Sequence, residues 1–212
     1  SSSAASDVYK RQELFRVMRE RDNVCKYMDI ALQHISDNML QRMRRHVTKK
    51  ETYRLIEQFR KEVPGIHLRT TLMVGHPGET EEDFEETLDV VRNVRFDSAF
   101  TFIYSKRTGT PAAAMENQVP EDVVKERFDR LLKEVQDISA EVCGRDVHTV
   151  QQVLVEEVND HSPELMTGRM SNNTVVHFPG DASMIGSLVD VYLEESRGFY
   201  YMGRIHEDSG EA

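Results

Sequence analysis

The residues best suited to chemistry lie at positions 75–79, which read Gly-His-Pro-Gly-Glu. Gly75 and Gly78 can adopt positive φ and the intervening proline cannot continue a strand, so the backbone must turn sharply here. A strand that leads into a glycine-rich turn and a helix N-terminus is where α/β folds bind ligands. The turn is therefore a candidate ligand site, although an ordinary strand–turn–helix connection has the same pattern.

Polar residues also follow two other apolar segments. Gln33 and His34 come directly after the apolar stretch 25–32, and a loop containing Arg107 and Thr110 follows an aromatic stretch that ends at Tyr104. Both groups thus lie at the carboxyl end of a predicted strand. A lone histidine is more often a hydrogen-bonded structural residue than a ligand, and a loop of this composition can be a simple polar turn.

The elements that position the glycine turn are a strand before it and a helix after it. Residues 68–74 are apolar or threonine with little alternation, which predicts a strand buried on both faces of a parallel sheet. Thr80 is suited to cap a helix that has acids in its first turn and apolar residues at helical spacing up to Val91. The acids at positions 79–86 are most simply the solvated start of this helix.

The order of elements predicts an α/β fold in two parts. Residues 13–118 read as strand, helix, helix, strand, helix, strand, with crossovers that give parallel neighbours. Three strands cannot close a barrel, so we expect the carboxyl half of a partial (β/α) barrel. Residues 119–144 form a connecting helix, and five short strands within residues 145–208 predict a small OB-like β-barrel. Residues 1–12 lack periodicity and are interpreted as a non-native leader.

Composition places the chain among globular proteins and restricts its sites. Of 212 residues, 39% are hydrophobic and 30% charged, with no apolar run long enough for a membrane span. The only two cysteines, Cys25 and Cys143, are far apart, which predicts no metal site and a cytoplasmic protein. Residues 145–212 contain four arginines, no lysine and twelve acidic residues. This charge counts against strong binding of nucleic acid.

Residues 70–80 (Thr-Thr-Leu-Met-Val-Gly-His-Pro-Gly-Glu-Thr) resemble the fifth-strand segment of radical S-adenosylmethionine (SAM) enzymes, and more narrowly of the methylthiotransferases. Residues 32–45 resemble the branch of that family that modifies a ribosomal protein (RimO). Residues 104–113 instead resemble the tRNA-directed branch (MiaB). Residues 168–191 resemble the TRAM module, an RNA-binding barrel, in the form found in MiaB. A mosaic joined near residues 79–91, which both branches share, fits this pattern.

The resemblance and the available cations together indicate which residues contact ligands. The residues assigned to the SAM cofactor are Gln33, Gly75, Gly78, Glu79 and Tyr104. The residues assigned to the substrate are Arg107, Thr110, Arg169 and Arg204. No residue is assigned as a general acid, a nucleophile or a metal ligand.

The resemblance also implies two [4Fe-4S] clusters in a full-length enzyme, one of them on a CxxxCxxC motif. The sequence contains no such motif, which predicts a carboxyl-terminal fragment that is inactive alone. The implied activity of the parent enzyme is the addition of a methylthio group to a tRNA adenosine next to the anticodon, in the synthesis of 2-methylthio-N6-isopentenyladenosine. The alternatives are an aspartate of a small-subunit ribosomal protein as substrate, or a non-catalytic binding protein whose barrel docks a partner.

Overall fold

A computed structural model of the protein describes residues 2–207, with side chains described from residue 11 onward. The chain divides into two compact units, with the boundary between Ile138 and Ser139. The helices are α1 (Ser2–Glu20), α2 (Asp37–Arg42), α3 (Lys49–Glu62), α4 (Glu81–Val94) and α5 (Glu121–Gly144). The strands are β1 (Tyr27–Gln33), β2 (His67–Val74), β3 (Ser98–Ile103), β4 (Val150–Val158), β5 (Leu165–Met170), β6 (Val175–Pro179), β7 (Leu188–Ser196) and β8 (Tyr200–Ile205).

The first unit contains a three-stranded parallel sheet in the order β1-β2-β3, as the crossovers predicted. Arg69 in the central strand pairs with Asp29 on one side and Ser98 on the other, so the three carboxyl ends lie at one edge. We call this edge the carboxyl edge. It brings the segments that follow the three strands to the same side of the sheet.

Burial in β2 differs from the prediction. Alternate residues from Leu68 to Val74 are buried, whereas Arg69 and Met73 on the other face are only half-buried. The prediction of burial on both faces was wrong because right-handed crossovers place the helices on one side of an open sheet. The helices contribute apolar residues to the core of this unit; they include Ile56, Phe59, Phe84, Leu88 and Val91.

Side-chain caps fix the starts of three helices, and the predicted cap of α4 at Thr80 is confirmed. The side chain of Thr48 accepts a hydrogen bond from Glu51 N, and that of Thr80 accepts one from Asp83 N, each within a capping box. Ser36 caps α2 by accepting from Met39 N. Each cap satisfies a backbone donor that the helix itself leaves unpaired.

The amino-terminal helix is longer than the sequence pattern indicated. The predicted boundary at residue 12 coincides with no element boundary, because α1 runs from Ser2 to Glu20. Phe15 is buried and packs edge-on against Phe59 with ring centroids 4.9 Å apart, which holds the second half of α1 on α3. The non-native origin of residues 1–12 stays a prediction.

The second unit is a closed barrel with strand order β4-β5-β6-β8-β7, as the change to period two predicted. Its core consists of Val153, Val155, Met166, Met170, Val176, Phe178, Val191, Leu193 and Tyr201. Alternate residues of each strand face this core, so the outward residues are available for contacts with solvent or partners. Across the part of the chain that the structure describes, no helix is long and apolar enough to cross a membrane.

Candidate functional site

The glycine turn lies at the carboxyl edge and is packed against other parts of the first unit. Gly75 and Gly78 have φ of 80° and 83°. A Cβ atom added to Gly75 would lie 2.7 Å from Val124 Cγ2 of α5, and one added to Gly78 would lie 2.6 Å from Arg42 Nη1. Both glycines are thus required by backbone conformation, and Gly75 also by its close packing against Val124. Their part in a cofactor pocket stays a prediction.

Glu79 is the most enclosed acid of the turn. Its side chain is fully buried, its Oε2 accepts a hydrogen bond from Gly75 N at 3.0 Å, and its Oε1 accepts one from Arg127 Nη1 at 2.8 Å. The interpretation of the acids as solvated was therefore wrong for Glu79, and also for the buried Asp83. The reason is that the partner of Glu79 lies 48 positions away on α5, where no local pattern reveals it.

The segment after β1 contributes a buried histidine. His34 Nδ1 accepts hydrogen bonds from Ile35 N at 3.0 Å and Ser36 N at 3.1 Å, so a neutral ring carries its proton on Nε2. That nitrogen faces Glu79 Oε2 at 3.5 Å and Thr87 Oγ1 at 3.4 Å. The prediction that His34 is a hydrogen-bonded residue is confirmed.

Gln33 ends β1 in an unusual backbone conformation. It has a positive φ of 65°, a left-handed conformation that a residue with a Cβ rarely adopts. The pairing with β2 also becomes irregular between Ile30 and Gln33. Backbone strain of this kind is often found at binding sites. The predicted cofactor contact of Gln33 stays a prediction.

His76 and Tyr104 form an aromatic pair beside the turn. Their rings meet edge to face with centroids 5.3 Å apart, and His76 Nδ1 donates to Pro77 O at 3.1 Å. Burial lowers the pKa of His76 below its ordinary value of 6.5, which keeps the ring neutral near pH 7. The Tyr104 hydroxyl is buried without a hydrogen-bond partner among the described residues. It can therefore donate to a polar group of a ligand.

The loop after β3 is held by its own hydrogen bonds. Thr110 Oγ1 donates to Arg107 O at 2.8 Å and accepts from Ala113 N at 3.3 Å, so this hydroxyl is already engaged. The side chain of Arg107 is exposed. The predicted substrate contacts of both residues stay predictions, and Arg107 is the more available of the two.

Exposed cations surround the carboxyl edge. Arg42, next to Gly78, and Lys106 and Arg107, after β3, are exposed and have no ion-pair partner among the residues described. Arg42 Nε donates to the neutral Asn38 Oδ1 at 3.2 Å. The charges of these three side chains are therefore available to an anionic ligand. We call Arg42, Lys106 and Arg107 the rim cations.

The arginines of the barrel are arranged differently. Arg169 Nε lies 2.9 Å from Glu156 Oε2, and Arg204 Nε lies 3.0 Å from Glu194 Oε1. Arg197 is likewise 2.9 Å from a carboxylate oxygen of Glu195. Arg169 and Arg204, which were predicted to contact the substrate, are thus partly neutralised by neighbouring acids within the same unit.

Comparisons with known proteins agree with this architecture. The family profile described as Radical SAM superfamily matches residues 3–91, and the profile described as TRAM domain matches residues 144–205. A Bacteroides fragilis protein, named ribosomal protein uS12 methylthiotransferase RimO, is 55% identical over 92% of this chain and 46% of its own length. A Lachnoclostridium phytofermentans protein, named tRNA-2-methylthio-N(6)-dimethylallyladenosine synthase, is 48% identical over 92% of this chain and 43% of its own. This chain belongs to the radical SAM methylthiotransferases.

The chain spans less than half the length of these relatives. The predicted family, the partial barrel and the OB-like TRAM barrel are confirmed. A solved structure, the radical SAM enzyme coproporphyrinogen III oxidase (HemN) from Escherichia coli, aligns with a TM-score of 0.46 at 12% identity over 69% of this chain and 41% of its own. The names of the relatives include both a ribosomal protein and a tRNA as substrates.

The described residues of this chain fit the two cofactors of the family unequally. A [4Fe-4S] cluster needs three thiolates, whereas the described residues contain no group of three histidine, cysteine or acidic side chains that could hold a metal. The described residues thus do not fit the cluster. The free hydroxyl of Tyr104, beside the turn at the carboxyl edge, fits a hydrogen-bonding ligand such as the nucleoside of SAM.

Proposed function

We propose that this chain is part of an enzyme that transfers a methylthio group to an adenosine of tRNA, and that the RNA approaches the carboxyl edge of the β1-β2-β3 sheet. The observation that carries the proposal is the set of rim cations. They are exposed and free of ion pairs among the described residues, and they lie where α/β folds bind their ligands. Contacts between such cations and the phosphate groups dominate the affinity of proteins for nucleic acids.

The cofactor of the proposed enzyme is SAM, bound at the same edge. SAM chemistry in this family consists of hydrogen abstraction by a 5′-deoxyadenosyl radical and donation of a methyl group. In this chain, Tyr104, whose buried hydroxyl has no partner among the described residues, would donate a hydrogen bond to the nucleoside, and Gln33 would contact the cofactor at the end of β1. The buried Glu79 shapes the pocket by holding Gly75 N. Two clusters in the whole protein, and the inactivity of this chain alone, stay predictions.

The activity is tested in the full-length protein that contains this chain, after anaerobic reconstitution with iron and sulfide. The protein is incubated with SAM and either tRNA that carries the unmodified precursor adenosine or ribosomal protein uS12. Mass spectrometry of the nucleosides and of the tryptic peptides then identifies the product. We expect the methylthio group on the tRNA adenosine. A methylthio group found on uS12 alone would refute the proposal.

The proposed RNA surface is tested separately in this chain by tRNA binding over a salt series. Replacing Lys106 and Arg107 by alanine removes two rim cations, so we expect weaker binding and a shallower salt dependence, by about two phosphate contacts. The matched control replaces Lys125 and Lys133, which are exposed on α5 and paired with acids one turn away. Equal effects of the two double variants would show that the rim has no special part in binding.

The charge of the barrel favours a second candidate substrate, a basic ribosomal protein. Residues 145–212 have twelve acidic residues against four arginines, and acids of the same unit pair with Arg169, Arg197 and Arg204. An acidic barrel repels RNA but attracts a basic protein. The Bacteroides fragilis relative at 55% identity is named for uS12. The same assay decides between the two, because only one of the substrates should gain the group.

A further inference from the structure

A buried charged pair connects α5 to the glycine turn. The side chains of Arg127 and Glu79 are 6% and 0% exposed, and Arg127 Nη1 lies 2.8 Å from Glu79 Oε1. The same nitrogen donates to the backbone oxygen of Glu79 at 3.1 Å, and Arg127 Nε donates to Glu81 Oε2 at 3.0 Å. One guanidinium therefore contacts both the side chain and the backbone of the residue that ends the turn.

The other oxygen of Glu79 holds the backbone at the end of β2. Its Oε2 accepts from Gly75 N at 3.0 Å and faces His34 Nε2 at 3.5 Å. His34 in turn accepts the backbone N–H groups of Ile35 and Ser36. The contacts form one buried chain from α5, through Glu79, to the segments that follow β2 and β1.

The energetics of these buried contacts indicate the role of Arg127. A buried carboxylate without a counter-charge is very unfavourable, and it takes up a proton or moves toward water. Either change removes or reorients the acceptor that Gly75 N requires. Arg127 thus supplies the counter-charge that the buried Glu79 carboxylate needs, and Glu79 in turn holds Gly75 N.

We infer that Arg127 is a positioning residue: through Glu79 it fixes the Gly75 N–H and thereby the conformation of the turn at the carboxyl edge. The inference rests on the proposed function only in naming SAM as the ligand that this turn serves. If Arg127 only packed α5 in place, the effect of replacing it would not depend on the charge of Glu79. The two roles therefore differ in whether a change at Glu79 compensates for the loss of Arg127.

The experiment compares three variants of this chain by the NMR signal and the hydrogen-exchange rate of the Gly75 amide. Arg127→Met removes the counter-charge. Glu79→Gln with Arg127→Met removes both charges but retains a side-chain oxygen that can accept from Gly75 N. The matched control is Arg130→Met, one turn further along α5, because Arg130 pairs with Glu81 and Glu85 and makes no described contact with Glu79.

We expect the Arg127→Met variant to shift the Gly75 resonance and to speed its exchange by about tenfold or more. The double variant should recover most of the protection, and the control should keep that of the unmodified chain. Arg127→Lys retains the charge and should lose less of the Gly75 amide protection than Arg127→Met. This variant provides the measurement if the methionine variant fails to fold. Unchanged exchange in Arg127→Met, or no recovery in the double variant, would overturn the inference.

A second readout separates this inference from the proposed function. In the reconstituted full-length protein, Arg127→Met should raise the KM for SAM more than it lowers kcat, and the double variant should restore the KM. A Gly75 amide that responds as expected while the KM for SAM stays unchanged would refute the assignment of the turn to SAM. The coupling from Arg127 to the turn would then still hold.

Discussion

The hydroxyl of Ser36 donates a hydrogen bond to Asp83 Oδ1, which joins the N-terminus of α2 to that of α4. The other oxygen of Asp83 accepts from Thr80 N at 3.1 Å and from Asn38 Nδ2 at 2.8 Å. One carboxylate thus completes a capping box and connects the segments that follow β1 and β2. The conformation of the segments at the carboxyl edge therefore depends on Asp83 as well as on Glu79.

The first prediction concerns the replacement Asp83→Asn. An amide has one acceptor oxygen instead of two, so some of the donors from Ser36, Thr80 and Asn38 lose their partner. We expect a loss of about 1–3 kcal/mol in the free energy of unfolding at pH 7, measured by urea denaturation. The control is Asp89→Asn on the exposed face of α4, which should leave that free energy nearly unchanged.

The effect of Asp83 should also depend on pH. Burial acts to raise the pKa of Asp83, but the hydrogen bonds from Ser36, Thr80 and Asn38 outweigh it and hold the pKa below the ordinary 3.8. The carboxylate therefore stabilises the fold above pH 3.8, and this contribution is lost as the pH falls through the pKa of the folded state. The difference in the free energy of unfolding between Asp83→Asn and the unmodified chain should therefore shrink as the pH falls over that range. A constant difference would contradict this account.

The second prediction separates backbone strain from crowding at the glycine turn. Gly75→Ala places a Cβ at positive φ and against Val124, whereas Gly65→Ala, at φ 77°, meets nothing within 4 Å. Left-handed strain costs about 1–2 kcal/mol per residue, and overpacking adds about 1–3 kcal/mol. Gly75→Ala should therefore lower the free energy of unfolding more than Gly65→Ala. In a Val124→Ala background, the cost of Gly75→Ala should fall toward that of Gly65→Ala, because the two Cγ atoms nearest to the added Cβ are removed.

The third prediction concerns the barrel. Tyr201 is buried in its core, and its hydroxyl donates to Cys143 O at 2.6 Å, which holds the end of α5 on the barrel. Burial raises the pKa of this phenol, so it remains a donor at all moderate pH values. Tyr201→Phe should lower the free energy of unfolding by about 0.5–1.5 kcal/mol. Tyr200→Phe is the control, because no described hydrogen bond uses its hydroxyl, and equal losses would contradict the assignment.

The fourth prediction follows from the lowered pKa of His76, whose main cause is burial. A folded-state pKa below 6.5 means that the unfolded chain takes up a proton first, so the stabilisation is present above pH 6.5 and is lost as the pH falls below it. His76→Phe keeps a ring against Tyr104 and removes the titration. Its stability should fall less than that of the unmodified chain between pH 7 and 5. An NMR titration that places the pKa of His76 above 6.5 would refute the assignment of this pH dependence to the burial of His76.

Short-range patterns in the sequence determined the elements of this protein. Thr48 and Thr80 begin their helices because each places a side-chain oxygen where the next backbone donors need an acceptor. Gly75 and Gly78 mark a turn since few other residues reach their φ values. The alternation of inward residues such as Val153 and Val155 likewise predicted the barrel strands. These features depend on neighbours a few positions apart, and they were all found in the structure.

Only the tertiary structure decided what the charged residues of the site do. Glu79 and Asp83 have the sequence pattern of a solvated helix start, but Arg127 and Ser36, 48 and 47 positions away, bury and pair them. The same holds for Arg169, whose charge Glu156 partly neutralises from the adjacent strand. Whether a charge is free or paired depends on which distant segments the fold brings within about 4 Å, and a linear pattern contains no measure of that distance.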